Sequence, residues 1–206
     1  TNVAHSIWSA WGPLSNVIVG GLLGPVSAGL FKIASTFSES AGKPASFLEK
    51  SFYPEIMRLD PASKQPWQLA IRSGLLAGGM GLVMLLVVMV GGEPLISLVF
   101  GKRYLDAFDL LQIMAISLVV STVSFPLESL LYMSGRQRAA LAAQGSAALA
   151  YGVLLVTFIH AFGLIGAGIA YVAGMVMKAL FSLIPTLGAY RRRHILSHHH
   201  GEEAPA

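Results

Sequence analysis

Cysteine is absent from this 206-residue chain, which excludes disulfides and any metal site built on thiolates. Charge is scarce as well. Asp, Glu, Lys and Arg make up 12% of residues, about half the share of an ordinary soluble domain. There is no HExxH, no P-loop, no nucleophile elbow and no Asp-rich metal motif. The expectation is therefore a protein that is not an enzyme and uses no cofactor or metal. Without a P-loop, energy for any transport comes from ion gradients, the membrane potential or substrate flux.

What is present is apolar length. Apolar residues make up 54% of the chain, and mean hydropathy is +0.66. Residues 73–92 run for 20 positions without Asp, Glu, Lys or Arg, about 30 Å as a helix, which matches the hydrocarbon core. Residues 139–177 run for 39, enough for two spans if the chain turns at Phe162-Gly163. These features predict an all-α, polytopic membrane helix bundle. The net charge of +4 does not point to nucleic acid, because the basic residues sit at span ends and inside one helix, where they anchor and orient.

About six transmembrane helices are expected, over 3–20, 27–57, 69–92, 108–133, 139–161 and 164–190. A polar loop over 58–67 and a short amphipathic stretch to Phe100 lie between them. Residues 1–190 form the transmembrane lobe and 191–206 a disordered tail. Trp8 and Trp11 suit an interface or a groove wall. Gly74, Gly78 and Gly81, and likewise Gly166, Ala170 and Gly174, form small-residue ridges that let helix backbones approach closely. One side of the alternating bundle collects Arg58, Lys64, Arg72, Arg136, Arg138, Arg191, Arg192 and Arg193, the other only Lys102 and Arg103. The positive-inside rule then puts the C-terminus in the cytoplasm. The chain starts at Thr1, inside a helical pattern, and is expected to be the C-terminal part of a larger transporter.

The second helix carries the sharpest signal. Lys32, Thr36, Glu39, Lys43, Ser46 and Lys50 fall within about 80° on a helical wheel. One ionisable group at the centre of a bilayer costs about 2.5–3.5 kcal/mol on insertion scales, so such a stripe cannot face lipid. Two readings remain open. The stripe is either a structural ion-pair network, with Glu39 and Lys43 paired at i,i+4 and Lys32 and Lys50 snorkelling, or the wall of a substrate path. Surplus positive charge on the stripe suits an anion such as phosphate or pyrophosphate, with Glu39 orienting Lys43. Pro44 is either a hinge or a static kink.

Glu128 suits a pair with a basic cavity residue, a coupling cation or a bundle salt bridge. Lys178 suits the cavity or snorkelling to the surface. His160 suits an interfacial hydrogen bond, and His198, His199 and His200 form a short tail cluster capable of weak metal binding. The candidate substrate-binding residues are Lys32, Glu39, Lys43, Lys50, Glu128 and Lys178.

Several segments carry a resemblance. Asn16-Val17-Ile18-Val19-Gly20-Gly21-Leu22-Leu23-Gly24-Pro25 followed by Ala28-Gly29-Leu30-Phe31 resembles a helix-loop-helix of bacterial polysaccharide flippases. These belong to the multidrug/oligosaccharidyl-lipid/polysaccharide exporter superfamily. Phe52-Tyr53-Pro54-Glu55 with Arg58-Leu59, Leu98-Val99-Phe100-Gly101-Lys102-Arg103-Tyr104 with Ala107, Gly135-Arg136, and Gly163-Leu164-Ile165-Gly166-Ala167-Gly168-Ile169-Ala170 are similar to later parts of the same proteins. Together they cover about residues 16–190 and correspond to the second six-helix lobe of a two-lobe transporter.

The resemblance implies export of an undecaprenyl-pyrophosphate-linked oligosaccharide across the bacterial inner membrane by alternating access. It implies membrane lipids, the missing N-terminal lobe and a polysaccharide polymerase as partners. The chain departs from the family in lacking the first lobe. The alternatives are a lipid II flippase or another exporter of the superfamily, a non-transporting membrane scaffold, and, more distantly, an integral-membrane enzyme using Glu39 or Glu128.

Overall fold

The computed structural model of the protein describes the backbone over residues 2–59, 65–133 and 137–202. Side chains are described over 12–43, 65–133 and 138–188, and at 47, 51, 52, 54, 55, 58 and 59. Among the described residues every regular element is helical. These are α1 (Asn2–Leu23), α2 (Pro25–Arg58), α3 (Gln65–Val99), α4 (Asp106–Met133) and α5 (Gln137–Glu202), with one 3-10 turn at Lys102–Tyr104. The chain is an all-α membrane helix bundle, and α3, α4 and α5 are each long and apolar enough to cross a bilayer.

Two glycines reverse the chain. Gly24 has φ of 89° and Gly163 has φ of 61° with ψ of −137°, conformations that side chains other than glycine rarely adopt. After Gly24 the chain doubles back so tightly that a methyl group at Gly20 would lie 3.3 Å from Ala28 Cβ. At Gly163 α5 folds into a hairpin of two arms, 137–162 and 164–202. Its register is fixed by Gly166 against the Phe158 carbonyl and by Gly174 beneath the Tyr151 ring. The turn expected at Phe162-Gly163 is therefore present, and both small-residue ridges sit at close helix contacts.

On α3, Gly74 faces Pro126, Gly78 faces Val123, Gly81 faces Thr122 and Gly92 faces Phe108. The descending order on α4 makes the pair antiparallel. Lipid tails are as apolar as leucine, so helices in a membrane associate by close packing, and glycine permits the closest. The opposite face of α3 exposes Leu75, Leu76, Leu82, Val83, Leu86 and Val90 to the lipid. Only 11% of its most apolar stretch is buried, against 50% for α4. α4 is the central helix, packed on α2, α3 and α5.

Direction matters for the site. Ser38 meets Met114 and Gly42 meets Leu118, so α2 runs parallel to α4. Gly168 lies against Leu110 and Ile113, and Lys178 against Glu128 further along, so the second arm of α5 runs the same way. Arg58, Arg72 and Arg138 consequently fall at one end of the bundle and Lys102 and Arg103 at the other.

The structure alters two expected boundaries. α3 is one helix from Gln65 to Val99 rather than a span over 69–92 with a separate stretch after it. Pro66 sits in its first turn, where a missing N–H costs nothing. Beyond Pro94 the extension is held by Ile96, which is fully buried in the core. At the far end the last helix continues to Glu202, past the Arg191 at which a disordered tail was expected. The helix assignment of α2 also runs through position 44. The side chains of Trp8, Trp11, Pro44, Ser46, Lys50 and residues 189–206, including the His198–His200 cluster, lie outside the described set.

Candidate functional site: a polar cavity between parallel helices

A cavity of about 220 Å³ opens between α2, α4 and the second arm of α5. It is lined by Ser38, Glu39, Gly42 and Lys43 from α2, Ser117, Leu118 and Ser121 from α4, and Tyr171 and Met175 from α5. Helical spacing explains why these residues converge. Lys32, Thr36, Glu39 and Lys43 follow i, i+4, i+7, i+11 and share about 60° of α2. Ser117, Ser121, Ser124 and Glu128 repeat that spacing on α4, and Tyr171, Met175, Lys178 and Ser182 repeat it on α5. Three parallel helices thus present three polar stripes to one another.

Two of the sequence-predicted residues, Glu39 and Lys43, line the cavity. They lie about 21 and 27 Å along α2 from Pro25 at 1.5 Å per residue. Lys32, Thr36, Glu39 and Lys43 all have exposed side chains, but Lys32 and Thr36, nearer the start of the helix, are not part of the cavity wall. The backbone of Lys50 lies in α2, with its side chain outside the described residues.

Glu128 and Lys178 come together below the cavity. Lys178 Nζ is 2.8 Å from Glu128 Oε1, and Gln144 Nε2 donates to Glu128 Oε2 at 3.1 Å. The pair therefore ties α4 to both arms of the α5 hairpin, and Lys178 binds across the bundle rather than snorkelling. Each side chain is about a quarter exposed, 24% and 27%, so the attraction is partly screened. His160 Nδ1 lies 2.8 Å from the Val156 carbonyl oxygen on an exposed part of α5, the local bond expected of an interfacial histidine.

The serines were missing from the sequence reading. Ser38 and Ser117 are almost completely buried, and both hydroxyls donate to the Met114 carbonyl, at 3.3 and 2.6 Å. Ser121 Oγ donates to the Leu118 carbonyl at 3.1 Å. Tyr171 and Tyr151 meet edge to face across the α5 hairpin with centroids 6.3 Å apart, which positions the Tyr171 ring at the cavity wall. The signal that could have found these residues is the repeated i, i+4, i+7, i+11 spacing on α4 and α5. Serine and tyrosine do not interrupt an apolar run, so the stripes passed as plain membrane spans.

No His, Asp and Glu cluster able to hold a metal occurs among the described residues. Chemically the site offers one ammonium, one carboxylate and several hydroxyls at the meeting of three helices. That is an arrangement able to bind a polar group.

Fold and site together define a helical membrane protein with a cavity between three of its helices, lined by charged, hydroxyl-bearing and apolar side chains. Over 111 residues the chain is 61% identical to a protein of Escherichia coli K12 named inner membrane protein YghQ, a match covering 54% of this chain and 31% of that relative. The chain thus spans about a third of the length of the curated relative it matches. No protein-family profile matches the chain, and no solved structure does.

Proposed function

We propose that this chain is part of an exporter that moves a lipid-pyrophosphate-linked oligosaccharide across the bacterial inner membrane for cell-surface polysaccharide assembly. The observation that carries the reading is the cavity itself. Lys43 and Glu39, both exposed on α2, converge with Ser117, Ser121 and Tyr171 on one space between three parallel helices of a membrane bundle. Charged residues inside membrane proteins mark substrate and ion paths far more often than lipid contacts. Lys43 supplies a point charge for a phosphate, and Glu39, one turn away, orients it. The inner-membrane location draws on the name of the YghQ relative. The polysaccharide substrate and two-lobe architecture draw on the resemblance to the flippase superfamily. The residues that flank the spans support a multi-pass arrangement with the Arg58 and Arg138 end in the cytoplasm.

The test replaces Lys43 by Ala and then by Arg in the full-length protein in its native membrane. Surface polysaccharide, accumulation of lipid-linked precursor and protein abundance are scored together. Loss of export with Lys43→Ala at normal abundance, with partial recovery in Lys43→Arg, supports the reading. Normal export in both variants, or failure only through loss of the protein, makes the stripe a structural network and the chain a scaffold.

A further inference from the structure

The cavity wall has a polarity that the charge stripe conceals. Each serine hydroxyl carries one proton and two acceptor lone pairs. Ser117 commits its proton to the Met114 carbonyl at 2.6 Å, Ser38 to the same oxygen at 3.3 Å, and Ser121 to the Leu118 carbonyl at 3.1 Å. A carbonyl cannot donate, so the direction of all three bonds is fixed. Towards the cavity these serines offer lone pairs alone, and the Glu39 carboxylate on the same wall adds further acceptors.

Such a surface repels a phosphate oxygen and attracts a group that donates. The charged donor on the described wall is the Lys43 ammonium, and the Tyr171 hydroxyl is a neutral one. An anionic group therefore sits at Lys43, and the serine side of the cavity is left for a hydroxyl-bearing neighbour. The volume, about 220 Å³, is below the range of about 300–1,000 Å³ usual for small-molecule clefts, so it admits one ring of an oligosaccharide rather than the whole.

We infer that Ser38, Ser117 and Ser121 form an acceptor wall that reads hydroxyl groups of the sugar next to the pyrophosphate, while the pyrophosphate itself is held by Lys43. The inference rests on the transport reading above and assigns the two halves of the substrate to different groups of one cavity.

Purified full-length protein in detergent distinguishes the two levels. The probes are citronellyl pyrophosphate, and the same lipid carrying one N-acetylglucosamine. Wild type binds the sugar-bearing probe more tightly. Ser117→Ala and Ser121→Ala each weaken that probe about three- to tenfold, the worth of one hydrogen bond, and leave the sugar-free probe within twofold. Ser121→Thr, which keeps the hydroxyl, restores affinity and guards against a folding artefact. Lys43→Ala weakens both probes.

Serine variants that weaken both probes equally, or neither, while Lys43→Ala weakens both, overturn the sugar assignment alone. A sodium requirement shared by both probes and removed by the serine variants makes the wall a cation site and likewise overturns it. Wild type that binds neither probe, or Lys43→Ala that binds both normally, overturns the transport reading beneath it.

Discussion

Gly81 and Gly79 are two residues apart on α3 and face opposite environments, so the same substitution at each should change stability with opposite sign. A methyl group at Gly79 meets nothing within 4 Å. Gly79→Ala therefore only restricts the unfolded backbone and improves helix propensity, worth up to about 1 kcal/mol. At Gly81 the methyl group runs into the Thr122 hydroxyl and comes 3.2 Å from the Leu118 carbonyl oxygen. The Thr122 hydroxyl is itself bonded to that carbonyl at 2.7 Å, and backbone cannot move aside as a long side chain can. Overpacking of this kind costs about 1–3 kcal/mol. Disturbing the Thr122 bond to its own preceding turn adds about 0.5–1 kcal/mol, the usual net worth of one hydrogen bond. Offset by the propensity gain, Gly81→Ala should lose about 2 kcal/mol. Reversible unfolding in mixed detergent and dodecyl sulfate micelles, followed by far-ultraviolet circular dichroism, measures both. Values within about 0.5 kcal/mol of each other, the scatter of neutral surface changes, would refute the claim that glycine contacts hold α3 to α4.

A double-mutant cycle on Glu128→Ala and Lys178→Ala should give a coupling of about 1 kcal/mol, reduced by the partial exposure of both side chains, and a coupling near zero would remove the pair from the account of hairpin docking. Gly163→Ala forces a side chain into the positive-φ conformation that reverses the chain, and should destabilise by about 1–2 kcal/mol; an unchanged unfolding midpoint contradicts this. The absence of native cysteine makes orientation directly testable: in spheroplasts an impermeant maleimide should label Lys102→Cys at once and Arg58→Cys only after permeabilisation, and the reverse pattern inverts the proposed topology.

The bundle was legible in the sequence because membrane burial leaves a coarse signal. Long uncharged runs gave α3, α4 and the α5 hairpin, and glycine at 163 gave its turn. What the sequence hid was register. A bundle salt bridge is among the readings of Glu128, but its partner was not legible, because only the parallel alignment of α4 with the second arm of α5 brings Lys178 within 2.8 Å. The stripe on α2 was visible from spacing, yet just its central members reach the cavity, since Lys32 lies about two turns further out. The serines of α4 were invisible for a chemical reason. Each satisfies its own proton on the preceding turn, which lets it sit in an apolar helix at little cost, so nothing in hydropathy marks it. The continuation of α3 past Pro94 also depends on a tertiary contact, Ile96 in the core, that no local propensity contains.

We propose that the cavity carries a pyrophosphate-linked sugar across the bilayer. The most direct measurement is transbilayer movement of a fluorescent lipid-pyrophosphate-linked saccharide in proteoliposomes containing the full-length protein, compared with the same vesicles containing Lys43→Ala. The account predicts rapid movement with wild type and a fall to the protein-free rate with Lys43→Ala at equal reconstitution. Equal rates for the two proteins, or no movement above empty vesicles with wild type, would contradict it.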